Sequence, residues 1–141
     1  LSSCGYEALY SKKNQINYDF SISELNFNGD REVNLKIKEK LNNYVLNKKN
    51  KTFRLRISST SRKIIIAKDK AGDATNFKIE ITVDIEVLNN DDLKSNFVII
   101  ESFDYNNNSD KFELKMYETE IKNNLSNTVS NELKLKLSNI K

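Results

Sequence analysis

The chain is predicted to fold as an α+β two-layer sandwich. The element order is β-α-β-β-β-α, giving a four-stranded, largely antiparallel sheet with two helices packed on one face. Three observations predict this. Residues Phe77 to Val87 alternate apolar and polar side chains without a break, the period of a strand with one wet face. Two segments, beginning near Arg31 and near Asp110, repeat apolar residues at helical spacing. With one apolar face per strand and one apolar stripe per helix, burial requires a sheet layer against a helix layer, which leaves the far side of the sheet polar.

The elements follow in order. Ile16, Tyr18, Phe20 and Ile22 alternate with Asn17, Asp19 and Ser21 as a half-buried strand, which Asn28-Gly29-Asp30 ends. Asp30 is placed to cap a helix from about 31 to 47, with Val33, Ile37, Leu41, Tyr44 and Val45 on one stripe. Phe53, Leu55 and Ile57 alternate with Arg54, Arg56 and Ser58, and that strand runs on through Ile64-Ile65-Ile66 to a turn at residues 69–73. The long alternating strand comes next, then a hairpin turn at Asn89-Asn90-Asp91-Asp92. In a fourth strand, from about Ser95 to Tyr105, Phe97, Ile99, Phe103 and Tyr105 share a face with Glu101 while Val98 and Ile100 point away. A bulge is expected to reconcile that pattern. From an Asp110 cap onward, Tyr117, Ile121, Leu125, Val129, Leu133 and Leu137 recur every fourth residue, joined by Phe112 and Thr128, as one long amphipathic helix.

At 141 residues, 38% apolar and 30% charged, the chain suits a single domain with its own core. No apolar run approaches the ~20 residues of a transmembrane helix. With no His and one Cys, Ser-His-Asp and Cys-His catalysis and His- or Cys-based metal sites are excluded. The three scattered glycines build neither a phosphate loop nor a dinucleotide fingerprint. Carboxylate pairs such as Asp91-Asp92 and Glu118/Glu120 fall in turns or on wet helix faces, so no acid–base pair in a cleft is expected and the chain reads as non-enzymatic.

Charge is segregated. Nine basic residues against one acidic lie between Lys48 and Lys70, and eleven acidic against three basic between Glu80 and Glu120. Arg54, Arg56, Arg62 and Lys63 are the candidate anion-binding side chains, because guanidinium groups match phosphate bidentately. The competing expectation is cross-strand pairing with Glu80, Asp84 and Glu86. Nucleic acid is not the expected partner, since aromatic side chains are not interleaved with the basic ones as stacking platforms.

Leu1-Ser2-Ser3-Cys4 is the pattern at which bacterial signal peptidase II cuts before a lipid-modified cysteine; the alternative is an ordinary thiol. The peptidase needs small side chains beside the cut, and a thiol is what forms the thioether to diacylglycerol. On this reading residues 1–3 are a signal-peptide remnant, 4–14 a lipidated tether and 15–141 one α/β domain. Membrane attachment would come through acyl chains on Cys4.

Three stretches carry a family resemblance. Cys4-Gly5-Tyr6-Glu7-Ala8-Leu9-Tyr10 resembles a Cys-Gly-aromatic-x-Pro-Leu-Tyr opening, with Ala8 where Pro is common. Ala71-Gly72-Asp73-Ala74-Thr75-Asn76-Phe77 is similar to a turn leading into a central strand, and Phe103-Asp104-Tyr105-Asn106 to a step into a final helix. Together, in this order, they resemble the lipopolysaccharide (LPS)-assembly lipoproteins, LptE, of the alphaproteobacterial type. The resemblance implies an outer-membrane lipoprotein facing the periplasm, without cofactor, that plugs the LptD β-barrel and contacts LPS. The alternative function is a pilotin-like or transport-auxiliary lipoprotein that binds a protein partner and no LPS.

Overall fold

The computed structural model describes residues 18–140. They form β1 (Ser21–Gly29), α1 (Arg31–Leu46), β2 (Thr52–Lys68), β3 (Ala74–Asn89), β4 (Asp92–Asn106) and α2 (Lys111–Ser138). The sheet order is β1-β2-β3-β4. β1 runs parallel to β2, as the α1 crossover demands, and the other two pairs are antiparallel. The sheet is therefore mixed, and the expected α+β sandwich is the observed architecture.

Both helices cover one face. α1 lies on β1 and β2, α2 lies on β3 and β4, and the helices touch each other. Between the layers Leu55, Ile57, Ile81, Val83 and Ile85 meet Val33, Ile37 and Leu41 of α1 and Val129, Leu133 and Leu137 of α2, all fully buried. Each such side chain contributes about 1.5–3 kcal/mol by leaving water. α2 is antiparallel to β4. Its Glu118 meets Tyr105 at one end of the strand, and Lys136 lies over Phe97 at the other. The helical rise between those contacts and the strand rise are both about 27 Å, so one long helix tracks one long strand.

The corner between β1 and α1 depends on Gly29. Its φ is +100°, and a Cβ there would sit 1.9 Å from the Ser59 carbonyl oxygen. The next residue, Asp30, donates its N–H to that same oxygen at 3.0 Å. Asp30 also caps α1 through Val33 N–H (3.0 Å) and accepts from Ser61 Oγ (2.7 Å) and Lys122 Nζ (3.0 Å). Burial raises the Asp30 pKa, but these three hydrogen bonds and the Lys122 charge outweigh it and hold the carboxyl below its ordinary value. One carboxylate thus joins α1, β2 and α2. Because β1 leaves the sheet at Gly29, opposite Ser59, nothing among the described residues pairs with Thr60–Lys68 on that side.

Several placements differ from the sequence expectation. Ile16 lies outside the described residues. The first strand starts at Ser21 and carries a bulge between Ile22 and Glu24. The bulge moves the apolar phase from Phe20 and Ile22 to Leu25 and Phe27, and all four pack on the core. No bulge interrupts β4 between Ser95 and Asn106; the one irregularity of that pair falls at Val87/Leu88. Val45 is exposed, and the stripe is completed by Asn34, buried and bonded to Asn28 O and Ser59 Oγ. On α2, Phe112 and Tyr117 are exposed and Leu114 is buried instead.

Candidate partner interface and anion cleft

Strand alternation sends Arg54, Arg56 and Arg62 to the open face of the sheet, away from the helices. Successive rows there read Asn26–Arg56–Glu86–Asn96, Asn28–Ser58–Asp84–Val98, Thr60–Thr82–Ile100 and Arg62–Glu80–Ser102. The surface is a polar lattice of hydroxyls, amides and opposed charges. Val98 and Ile100 are exposed at its β4 side.

All four nominated cations are in ion pairs. Arg54 Nη1 lies 3.1 Å from Asp91, Arg56 Nη1 3.8 Å from Glu86 and Arg62 Nη2 3.2 Å from Glu80. Two of these are the cross-strand pairs with acids of β3 that compete with anion binding. Such pairs are at least partly exposed and individually worth little, so an incoming phosphate can take the place of the carboxylate at small cost.

Lys63 belongs elsewhere. Being odd-numbered on β2, it points to the helix side. Its Nζ lies 2.8 Å from Glu118 and 4.2 Å from the centroid of Phe77. Glu118 also accepts from Tyr105 Oη. Burial raises the Glu118 pKa, yet the hydrogen bonds from Lys63 and Tyr105 bring it below the ordinary value. The Tyr105 hydroxyl is pushed up by burial and by its bond to Glu118. Lys63 is committed to packing.

The structure groups Arg54 with residues that the strand pattern alone does not single out. A cleft of about 960 Å³ opens where β1 and β2 begin, lined by Lys48, Asn50, Lys51, Arg54, Asn90 and Asp91. Arg54 Nε is buried there with no hydrogen-bond partner among the described residues, leaving a donor unused. Lys51 Nζ donates to Ser138 O (2.9 Å) and Ile140 O (2.7 Å), tying the end of α2 to the cleft wall. The signal that could have found Lys48 and Lys51 is the basic run itself, which begins at Lys48. Arg62 lies eight residues along the strand from Arg54, about 26 Å away, so the four cations do not form one cluster. Chemically the cleft can hold an anion through charge-assisted hydrogen bonds. Among the described residues no His, Cys, Asp and Glu side chains gather into a metal-binding group. Cys4 lies outside the described residues.

Several solved structures share this fold. The chain is similar to rare lipoprotein B from Shewanella oneidensis at 15% identity and a TM-score of 0.54, over 80% of this chain and 98% of that one. It is similar to a minor lipoprotein from Acinetobacter baumannii at 11% identity and a TM-score of 0.61, over 87% and 92%. A candidate lipoprotein from Caulobacter crescentus CB15 matches at 12% identity and a TM-score of 0.61, over 83% and 87%. At these identities the shared property is the fold. No family model matches the chain, and no curated protein matches it in sequence.

Proposed function

We propose that this chain is an outer-membrane lipoprotein, anchored through Cys4 and facing the periplasm. In this reading it plugs an LptD-type β-barrel and assists the assembly of LPS. The observation that carries the reading is the fold, which matches rare lipoprotein B over nearly all of that chain. The Leu1-Ser2-Ser3-Cys4 sequence supplies the anchor. The open sheet face supports the barrel partner: large outer-membrane barrels have polar interiors, and rows of Ser, Thr, Asn and Arg–Glu pairs suit such a wall. Arg54 and Arg56, with Lys48 and Lys51 nearby, would meet the phosphates of LPS. The role is non-catalytic and needs no cofactor.

The test is native expression, detergent extraction of the outer membrane, and affinity purification with intact-mass measurement. The expected result is an acylated Cys4 and a co-purifying large β-barrel; recovery of the protein alone overturns the reading. Arg54→Ala with Arg56→Ala should weaken LPS binding about tenfold through lost phosphate contacts, with the melting temperature unchanged. Unchanged binding would remove these arginines from the interface.

A further inference from the structure

The chain enters the sandwich at one end, among lysines. Tyr18 donates its N–H to the Tyr44 hydroxyl of α1 at 3.4 Å, and Phe20 stacks on the Tyr44 ring at 4.4 Å. Lys134 Nζ of α2 lies 6.0 Å from the centroid of that same ring. Lys49 donates its N–H to Ser21 Oγ, and Lys51 holds the carbonyls of Ser138 and Ile140. The start of β1, the last turns of both helices and the loop between α1 and β2 therefore share one end of the domain. Cys4 precedes Tyr18 by a stretch that spans at most about 50 Å when fully extended. An acylated Cys4 keeps this end close to a bilayer.

The lysines there have no acidic partners. Lys48, Lys49, Lys134 and Lys136 form no ion pair among the described residues, and neither does Lys40 near the end of α1. Glu39 is paired with Lys36 and Asp91 with Arg54, while Glu132 is hydrogen-bonded to Glu101 of β4. Burial, and then the Lys40 charge, hold the Lys134 ammonium below its ordinary pKa, so the two helices bring like charges together. Two aliphatic side chains are exposed beside them, Val45 at 37% and Leu135 at 52%.

We propose that this end of the domain is a docking surface for anionic phospholipid headgroups, in the leaflet that holds the Cys4 acyl chains. Three features point to that occupant. A bilayer surface attracts each nearby lysine separately, which suits cations spread over two helices and a loop. Lysines are point charges and match diffuse headgroups, whereas the arginines, which match phosphate bidentately, stand on the open face. Apart from Lys48, these lysines lie outside the cleft around Arg54. They flank exposed apolar side chains instead, the combination that settles at a bilayer interface. The surface adds electrostatic attraction to the acyl anchor and stands the strands on end against the bilayer. It rests on the proposed anchor for which membrane it meets; the barrel and LPS play no part in it.

The test uses the chain with Cys4→Ser, so that acylation contributes nothing, sedimented with phosphatidylglycerol or phosphatidylcholine vesicles. Binding to the anionic vesicles is expected, with release as salt rises from about 0.05 M to about 0.5 M. No binding to the anionic vesicles, or equal binding to the neutral ones, overturns the proposal. Lys49→Gln with Lys136→Gln should weaken binding at least about tenfold, at about fivefold per lysine. Lys68→Gln with Lys70→Gln removes the same charge at the other end of β2 and should change it less than about twofold. Equal losses in the two variants would refute the location. So would a loss confined to Arg54→Ala with Arg56→Ala, which would make the cleft the lipid site. An environment-sensitive dye on Leu135→Cys should shift its emission on binding, and one on Ala71→Cys, in the turn at the far end, should not. The reverse pattern would overturn the orientation. Because no acyl chain or barrel is present, an unacylated native Cys4 would refute the anchor and leave the vesicle result standing.

Discussion

Arg62 and Lys63 are neighbours in the chain and opposites in the structure. Arg62 stands on the open face, two-thirds exposed and 3.2 Å from Glu80. Lys63 stands under α2, between the Phe77 ring and a Glu118 that is itself held by Tyr105. The same charge is decoration on one side of the sheet and framework on the other. An exposed cation with a single ion pair is available for exchange with a ligand, whereas a cation that also packs on a ring and shares its carboxylate with a tyrosine hydroxyl is not.

Mutations on the two faces should separate accordingly. The largest effect is expected for Leu133→Ala on the covered side, about 4 kcal/mol of stability by urea denaturation, because the side chain is fully buried and leaves a cavity. The matching change on the open side, Ile100→Ala, should cost under about 0.5 kcal/mol in the monomer. An equal loss at both positions would mean that the open face is not open. Gly29→Ala comes next, at about 3 kcal/mol, since the new Cβ meets the Ser59 carbonyl oxygen and the left-handed φ is strained. Lys63→Ala should cost about 1 kcal/mol, given its partial exposure, and Arg62→Ala under about 0.5 kcal/mol.

The Lys63 effect should also depend on pH. Glu118 titrates below its ordinary value of 4.5 in the folded chain. Its contribution is therefore complete above that value and drains away as pH falls through the folded pKa. The stability gap between wild type and Lys63→Ala should narrow as pH drops from about 6 to about 3, while the gap for Arg62→Ala stays small throughout. A gap that widens on acidification would contradict the Lys63–Glu118 pair.

The layered architecture was legible because burial on one face writes a period into each element. β3 shows this best, with Phe77 through Val87 alternating as observed. What the pattern hides is anything that changes phase or leaves the periodic segments. The bulge at Ser23 switches the inward parity in β1, so Leu25 and Phe27 do not belong to the same alternation as Phe20 and Ile22. In β4 the reverse holds: Glu101 keeps its inward phase without a bulge in that stretch, and at the edge of the sheet it stays partly exposed. Helix ends mislead for a related reason. Tyr117 sits on the right stripe, but α2 there passes the rim of the sheet, so it lines an open hollow of about 270 Å³ with Phe103, Ile121 and Leu125. Of the candidate site, Arg54, Arg56 and Arg62 share a face as their parity implies. The parity of Lys63 was equally readable and sends it to the other side. The cleft around Arg54 draws Lys48 and Lys51 from a loop, where no periodicity exists to be read.

The departure of β1 at Gly29 has one more consequence. It leaves the stretch Ile64-Ile65-Ile66, the most β-prone tripeptide in the chain, with its amide row unmatched on one flank. That is the composition from which fibrils nucleate. Arg62, Lys63 and Lys68 bracket the three isoleucines and act as gatekeepers, so the charges there guard the chain against its own copies while they also pair with Glu80 and Glu118.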